Sequence, residues 1–72
     1  MTIELVKILE AAQNYRNASN ECFDLYQESN KQLDLQTSLE YEARTRAMLE
    51  AYEILTGKHV YFFEIDKELA LC

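Results

Sequence analysis

Apolar residues recur along the first part of the chain at alternating steps of three and four residues. The series has one polar member, a serine, and runs through Leu5, Ile8, Ala12, Tyr15, Ser19, Cys22 and Tyr26. This period places the side chains along one face of an α-helix. Thr2 can cap the first turn, and Glu4 lies close to the positive end of the helix dipole. The pattern predicts a helix over about residues 3–29.

A second series of the same period follows in the middle of the chain. Its members are Tyr41, Thr45, Met48, Tyr52 and Leu55. The segment Thr37-Ser38-Leu39-Glu40 precedes it and has the spacing of a capping box. Gly57, the single glycine of the chain, follows the series and can take the left-handed conformation that ends a helix. The second helix is therefore predicted over about residues 38–56.

The two series are out of phase, which argues against one long continuous helix. The polar stretch 30–37 competes locally for backbone hydrogen bonds and is a plausible turn. A reversal there makes an antiparallel helical hairpin. One register aligns Tyr26 with Tyr41 and Tyr15 with Tyr52, although any two such series can be brought into some register by chance. The hairpin itself is the firmer prediction.

The C-terminal stretch from Lys58 to Cys72 admits two interpretations. The run 59–63 has high β propensity, whereas Phe62, Ile65, Leu69 and Cys72 recur at helical spacing. A single strand in a helical chain would need a partner strand from another subunit. A short third helix is the favoured prediction, and the fold class is all-α with one domain.

Composition narrows the possible partners. The 72 residues include 13 acidic and 7 basic side chains, so the net charge is −6, which disfavours direct contact with nucleic acid or anionic membranes. No apolar run approaches the roughly 20 residues of a membrane-spanning helix. Two cysteines and no signal peptide favour a reducing, cytoplasmic setting.

No arrangement of residues indicates catalysis. His59 is the only histidine, and nothing in the sequence ties Cys22 or a serine to it as a nucleophile. Metal-ligand spacing and glycine-rich phosphate loops are both missing from the pattern. We expect no enzyme activity, no cofactor and no metal. In general style, as a short acidic helical chain, the protein resembles many small phage and mobile-element proteins, without a motif that assigns a family.

The predicted helices carry more apolar surface than the chain can cover. On the second helix the apolar arc spans roughly 200°, and the third segment covers barely half the length of the first helix. Association is therefore expected, as a homodimer that packs hairpin on hairpin or with a partner protein that this chain regulates or inhibits. The predicted contact residues are Tyr15, Tyr26, Tyr41, Met48, Tyr52, Tyr61, Phe62 and Phe63.

A different function follows if the acidic side chains act together. They could form a phosphate-like array that blocks a DNA- or RNA-binding protein, whose affinity would then fall steeply with salt. The residues of this alternative acidic face are Glu10, Glu21, Asp24, Glu28, Glu40, Glu50 and Glu53.

Overall fold

A computed structural model describes residues 2–71 and confirms the all-α hairpin. Helix α1 spans Ile3–Ser29 and helix α2 spans Gln32–Thr56. A 3₁₀ turn at Phe62–Glu64 leads directly into the short helix α3, Ile65–Ala70. The third helix is thus confirmed, and within residues 2–71 there is no β-strand. Cys72, which was predicted to continue the third helical series, lies outside the described residues.

The ends of the long helices follow from local backbone chemistry. The Thr2 hydroxyl accepts a hydrogen bond from the Leu5 N–H at 3.4 Å, as predicted for the start of α1. Asn30 adopts a left-handed φ of 57° after α1, and its N–H donates to the Tyr26 carbonyl at 2.7 Å. Gly57 ends α2 in the same way with a φ of 75°, which confirms the predicted stop.

The turn between α1 and α2 is shorter than predicted. Helix α2 begins at Gln32 rather than near residue 38, so only Asn30 and Lys31 connect the two helices. The proposed capping box is wrong because its hydroxyls serve other purposes. Thr37 Oγ1 donates to the Leu33 carbonyl one turn earlier in α2, at 2.9 Å, and Ser38 bonds to α1 instead. Asn30, in the left-handed conformation, reverses the chain, so the polar residues of the predicted turn 30–37 that follow Lys31 are free to join α2.

The predicted register is also wrong. The Tyr15 ring stacks on Tyr41, with 6.1 Å between ring centroids and 28° between planes, so Tyr15 does not face Tyr52. Ser19 lies against Ser38. The predicted alignment would have set Ser19 against a residue about ten positions further along α2, which is close to three helical turns. The early start of α2 and the close approach of the two serines set the register.

The hydrophobic core occupies one end of the hairpin. Six apolar residues are buried there: Leu9, Ala12, Leu49, Tyr52, Val60 and Ile65. The third segment packs over this end, where the Arg16 guanidinium bonds Asp66 at 2.9 Å and the Phe62 carbonyl at 3.1 Å. The turn end of the hairpin receives no such cover, and Leu33 and Leu39 are exposed there. This confirms that the third segment covers only part of the hairpin.

The size of the exposed surface agrees with this incomplete cover. The accessible surface is 5037 Å², against roughly 4,650 Å² expected for a monomeric globular protein of this mass. The molecule is elongated, with principal extents of 41 × 20 × 17 Å. The chain therefore exposes somewhat more surface than a compact monomer of equal size, and ten large apolar side chains of residues 2–71 are exposed.

Glu68 of α3 bonds both to the segment that follows α2 and to α2 itself. Lys58 Nζ lies 2.7 Å from a Glu68 carboxylate oxygen, and the buried Tyr52 hydroxyl donates to the other oxygen at 3.2 Å. The hydrogen bond from Lys58, supplemented by that from Tyr52, lowers the pKa of Glu68 below its ordinary value. The hydrogen bonds from Gln13 and then Arg16 lower the pKa of Asp66 in the same direction.

These two carboxylates should make the fold sensitive to acid. Because each pKa is lower in the folded chain than in the unfolded chain, their stabilisation is complete above the ordinary carboxyl range near pH 4 and is lost as the pH falls through it. We expect the free energy of unfolding in urea to fall between neutral pH and about pH 3. The variant Glu68→Gln should show a smaller fall. An equal fall in the variant would contradict this role of Glu68.

Candidate protein-docking face

The residues that could take part in metal binding or nucleophilic chemistry lie apart from one another in the described part of the chain. Within residues 2–71, no three His, Cys, Asp or Glu side chains lie close enough to hold a metal ion. His59 Nδ1 lies 3.4 Å from a Glu53 carboxylate oxygen, and the thiol of Cys22 is free and half-buried. None of the helices in this part of the chain is both long enough and apolar enough to cross a membrane. The candidate site is a surface formed by two grooves and a set of exposed rings.

The first part of this surface is a groove between α2 and the segment that leads into the 3₁₀ turn. Its volume is about 400 Å³, and we call it the ladder groove. Buried Leu49 and Val60 line it together with Tyr61, and Glu50 and Glu53 line it from α2. The groove thus combines apolar lining with acidic side chains.

Three rings form an exposed aromatic ladder beside this groove. The His59 ring meets Tyr61 edge to face at 4.4 Å between centroids, and Tyr61 stacks on Phe63 at 5.5 Å with planes 4° apart. Phe63 is 82% exposed, whereas the neighbouring Val60 is buried and Phe62 is half-buried. The β-like alternation of this run therefore buries two residues and presents the other three to solvent.

A second groove lies between α1 and α2, towards the turn. Its volume is about 280 Å³, and its apolar lining comes from Phe23, Leu35, Leu39 and Phe62. We call it the hairpin groove. Because Phe62 lines both grooves, they adjoin each other, and together with the aromatic ladder they constitute the docking face. Along α2 this face extends from Leu35 to Glu53, about 27 Å at 1.5 Å per residue.

One predicted contact residue belongs to the interior instead. Tyr52 is 1% exposed and packs in the core, so the prediction that it contacts a partner is wrong. The physical reason is the register, which brings Tyr52 under the third segment, where its hydroxyl bonds Glu68.

The remaining predicted contact residues divide into two groups. Tyr15 and Tyr41 are half-buried against each other, with the Arg44 guanidinium 5.8 and 5.5 Å from the two ring centroids. Met48 packs against the core, and Tyr26 is half-buried beside Phe23. The second group, on the docking face, is Tyr61, Phe62 and Phe63.

The predicted acidic face is divided among separate parts of the surface. At 100° per residue, four of its members lie more than about 130° from Ser19, on the side of α1 turned away from α2: Glu10, Glu21, Asp24 and Glu28. Glu40 lies about 160° from Ser38, on the side of α2 turned away from α1. Only Glu50 and Glu53 adjoin the docking face. The seven residues do not line one continuous strip.

Sequence reasoning missed several residues of the hairpin groove. Phe23 and Leu35 lie off the two periodic series, so they were not proposed as contact residues. The signal for them was the length of the third segment, which is too short to cover α1. Leu39 also lies off the second periodic series, and it is 54% exposed.

Comparisons with protein-family models, with curated proteins and with solved structures find no match to this chain. The functional argument therefore rests on the docking face itself.

Proposed function

We propose that this protein is a helical interaction module that regulates or inhibits a partner protein by covering part of its surface. The observation that carries the proposal is the continuity of the docking face, on which two apolar grooves adjoin at Phe62 beside an exposed aromatic ladder. A few residues contribute most of the binding energy at protein interfaces, and large aromatic side chains are enriched among them. We propose the cytoplasm as its setting, which the free thiol of Cys22 supports.

The dimensions of the docking face suit one helix of the partner. About 27 Å corresponds to roughly 18 helical residues, or five turns. An amphipathic helix can place apolar side chains at steps of three and four residues along such a groove. Leu39 would contact one end of this helix, Phe62 its middle where the two grooves adjoin, and Tyr61 the other end.

A partner of different charge is a better occupant of this face than a second copy of the chain. Each copy carries a net charge of −6, and the two grooves are lined by three acidic residues, Glu42, Glu50 and Glu53, against two basic ones, Arg16 and Arg46. Pairing two such faces would oppose like charges. The predicted homodimer, in which hairpins pack into a four-helix arrangement, stays a prediction that sedimentation at several concentrations tests.

Two exposed residues of the docking face should be essential for partner binding. We expect the double variant Leu39→Ser, Phe63→Ser to retain its helicity and to lose partner binding by at least about tenfold, because it removes one exposed apolar side chain from the hairpin groove and one from the aromatic ladder. The measurement is capture of proteins from a lysate of the source cells by immobilised protein, followed by titration of the captured partner.

A matched control separates this face from general surface apolarity. Leu33 and Ile54 are exposed apolar residues of α2 that line neither groove. The variant Leu33→Ser, Ile54→Ser should bind the partner as the unaltered chain does. Equal retention by both double variants would refute the proposed function.

A further inference from the structure

We infer that the ladder groove receives a lysine or arginine side chain, so that the helix bound by the docking face is a basic amphipathic one. This inference rests on the proposed function and adds the chemistry of the partner. The groove lining combines what a long cationic side chain needs: an apolar surface for its methylene groups and carboxylates for its charged end.

The apolar part of the groove is well defined. Leu49 and Val60 are 5% and 2% exposed, so the backbone and side chains beneath the groove are held by the core. The accessible apolar surface above them is that of exposed Tyr61 and half-buried Phe62, and stacking against Phe63 restricts the Tyr61 ring. A flexible aliphatic stem can lie on this surface with little loss of hydration of its charged end.

The charge in the groove is negative and largely uncompensated. Glu50 has no ion-pair partner among residues 2–71, and Glu53 pairs with His59, which is charged only when its imidazole is protonated. The one cation that lines the groove, Arg46, is already paired with Glu42 at 2.9 Å and lies over the Phe62 ring. Two carboxylates on one side of the groove therefore remain to attract a cation from outside.

The test uses synthetic peptides as probes. An amphipathic helical peptide of about 18 residues, composed of leucine and lysine, is titrated into the isotope-labelled protein while its amide chemical shifts are recorded. Two further peptides carry glutamine or glutamate in place of lysine. We expect the lysine peptide to shift the amides of Leu49, Glu50, Glu53 and Val60, and the glutamate peptide to leave them unchanged.

Matched variants distinguish the groove from overall charge. Glu50→Gln with Glu53→Gln should weaken binding of the lysine peptide about tenfold, as expected for the loss of two partly exposed charge contacts. Glu10→Gln with Glu21→Gln removes the same charge from the outer side of α1 and should weaken it by less than about twofold, because those sites are distant and screened.

Three outcomes would overturn the inference. Equal weakening in both double variants would mean that the peptide responds to net charge alone. Equal binding of the glutamine and lysine peptides would make the groove purely apolar, which removes the cation but leaves the proposed function intact. Shifts confined to residues outside the ladder groove, for every peptide, would exclude the groove as the binding site. The proposed function has a separate test. It fails if the Leu39→Ser, Phe63→Ser variant captures the partner as well as the control variant does.

Discussion

Replacement of Leu9 by alanine should lower the free energy of unfolding by about 3 kcal/mol. Leu9 is fully buried in a core to which residues 2–71 contribute six buried apolar side chains. Removing its side chain loses the transfer free energy of the deleted methylene and methyl groups and leaves a cavity between α1, α2 and α3. A chain of this length has a total stability of roughly 4–10 kcal/mol, so the loss is a large fraction of it. Urea unfolding followed by circular dichroism measures the difference.

The control for Leu9 lies on the same helix. Ile3 is 66% exposed, and Ile3→Ala should change the free energy of unfolding by less than about 0.5 kcal/mol. Comparable losses in the two variants would mean that the small core does not dominate the stability of the fold.

The helical hairpin was predictable from local signals. The alternating steps of three and four residues identified both long helices, and the residues at their ends, Thr2 and Gly57, cap or stop them as expected. These features depend on neighbours within a few positions, so the sequence contains the information directly. The same holds for the third helix, because the helical spacing of Phe62, Ile65 and Leu69 outweighed the β propensity of 59–63.

The turn and the register were not predictable from the same signals. Thr37 and Ser38 have the composition of a helix start, but in a helix interior their hydroxyls can instead donate to carbonyl groups. Which choice prevails depends on the opposite helix, since Ser38 finds its acceptor on Ser19. A pattern confined to one helix holds no information about that contact. The predicted register therefore maximised tyrosine pairing, whereas the chain pairs its small polar residues.

The candidate site was predictable only in part, for the same reason. Composition and segment length predicted an excess of apolar surface, and Tyr61 and Phe63 were among the predicted contact residues. The hairpin groove requires Phe23 and Leu35 to lie near each other across the two helices, which depends on the register. An error of about three helical turns in the register therefore hides the groove and misplaces Tyr52 at the surface.

A pair of serines allows the two long helices to approach closely. Ser19 Oγ donates to the Ser38 carbonyl at 2.9 Å, and Ser38 Oγ donates to the Ser19 carbonyl at 2.8 Å. The two hydroxyl oxygens are 3.2 Å apart, and Ser38 is only 5% exposed. Such reciprocal bonds to the opposite backbone need small side chains, because a larger one would separate the helix axes.

Replacement of Ser38 by leucine should therefore lower the free energy of unfolding by about 3 kcal/mol, from overpacking combined with the loss of its hydrogen bonds. Ser38→Ala, which loses the hydroxyl but keeps the close approach, should cost only about 1 kcal/mol. Gln36→Leu places the same side chain at an exposed position of α2 and should change stability by less than about 0.5 kcal/mol. Urea unfolding of the three variants provides the measurement. A leucine tolerated as well at position 38 as at position 36 would show that the helices do not need the serine contact, and the register would require another explanation.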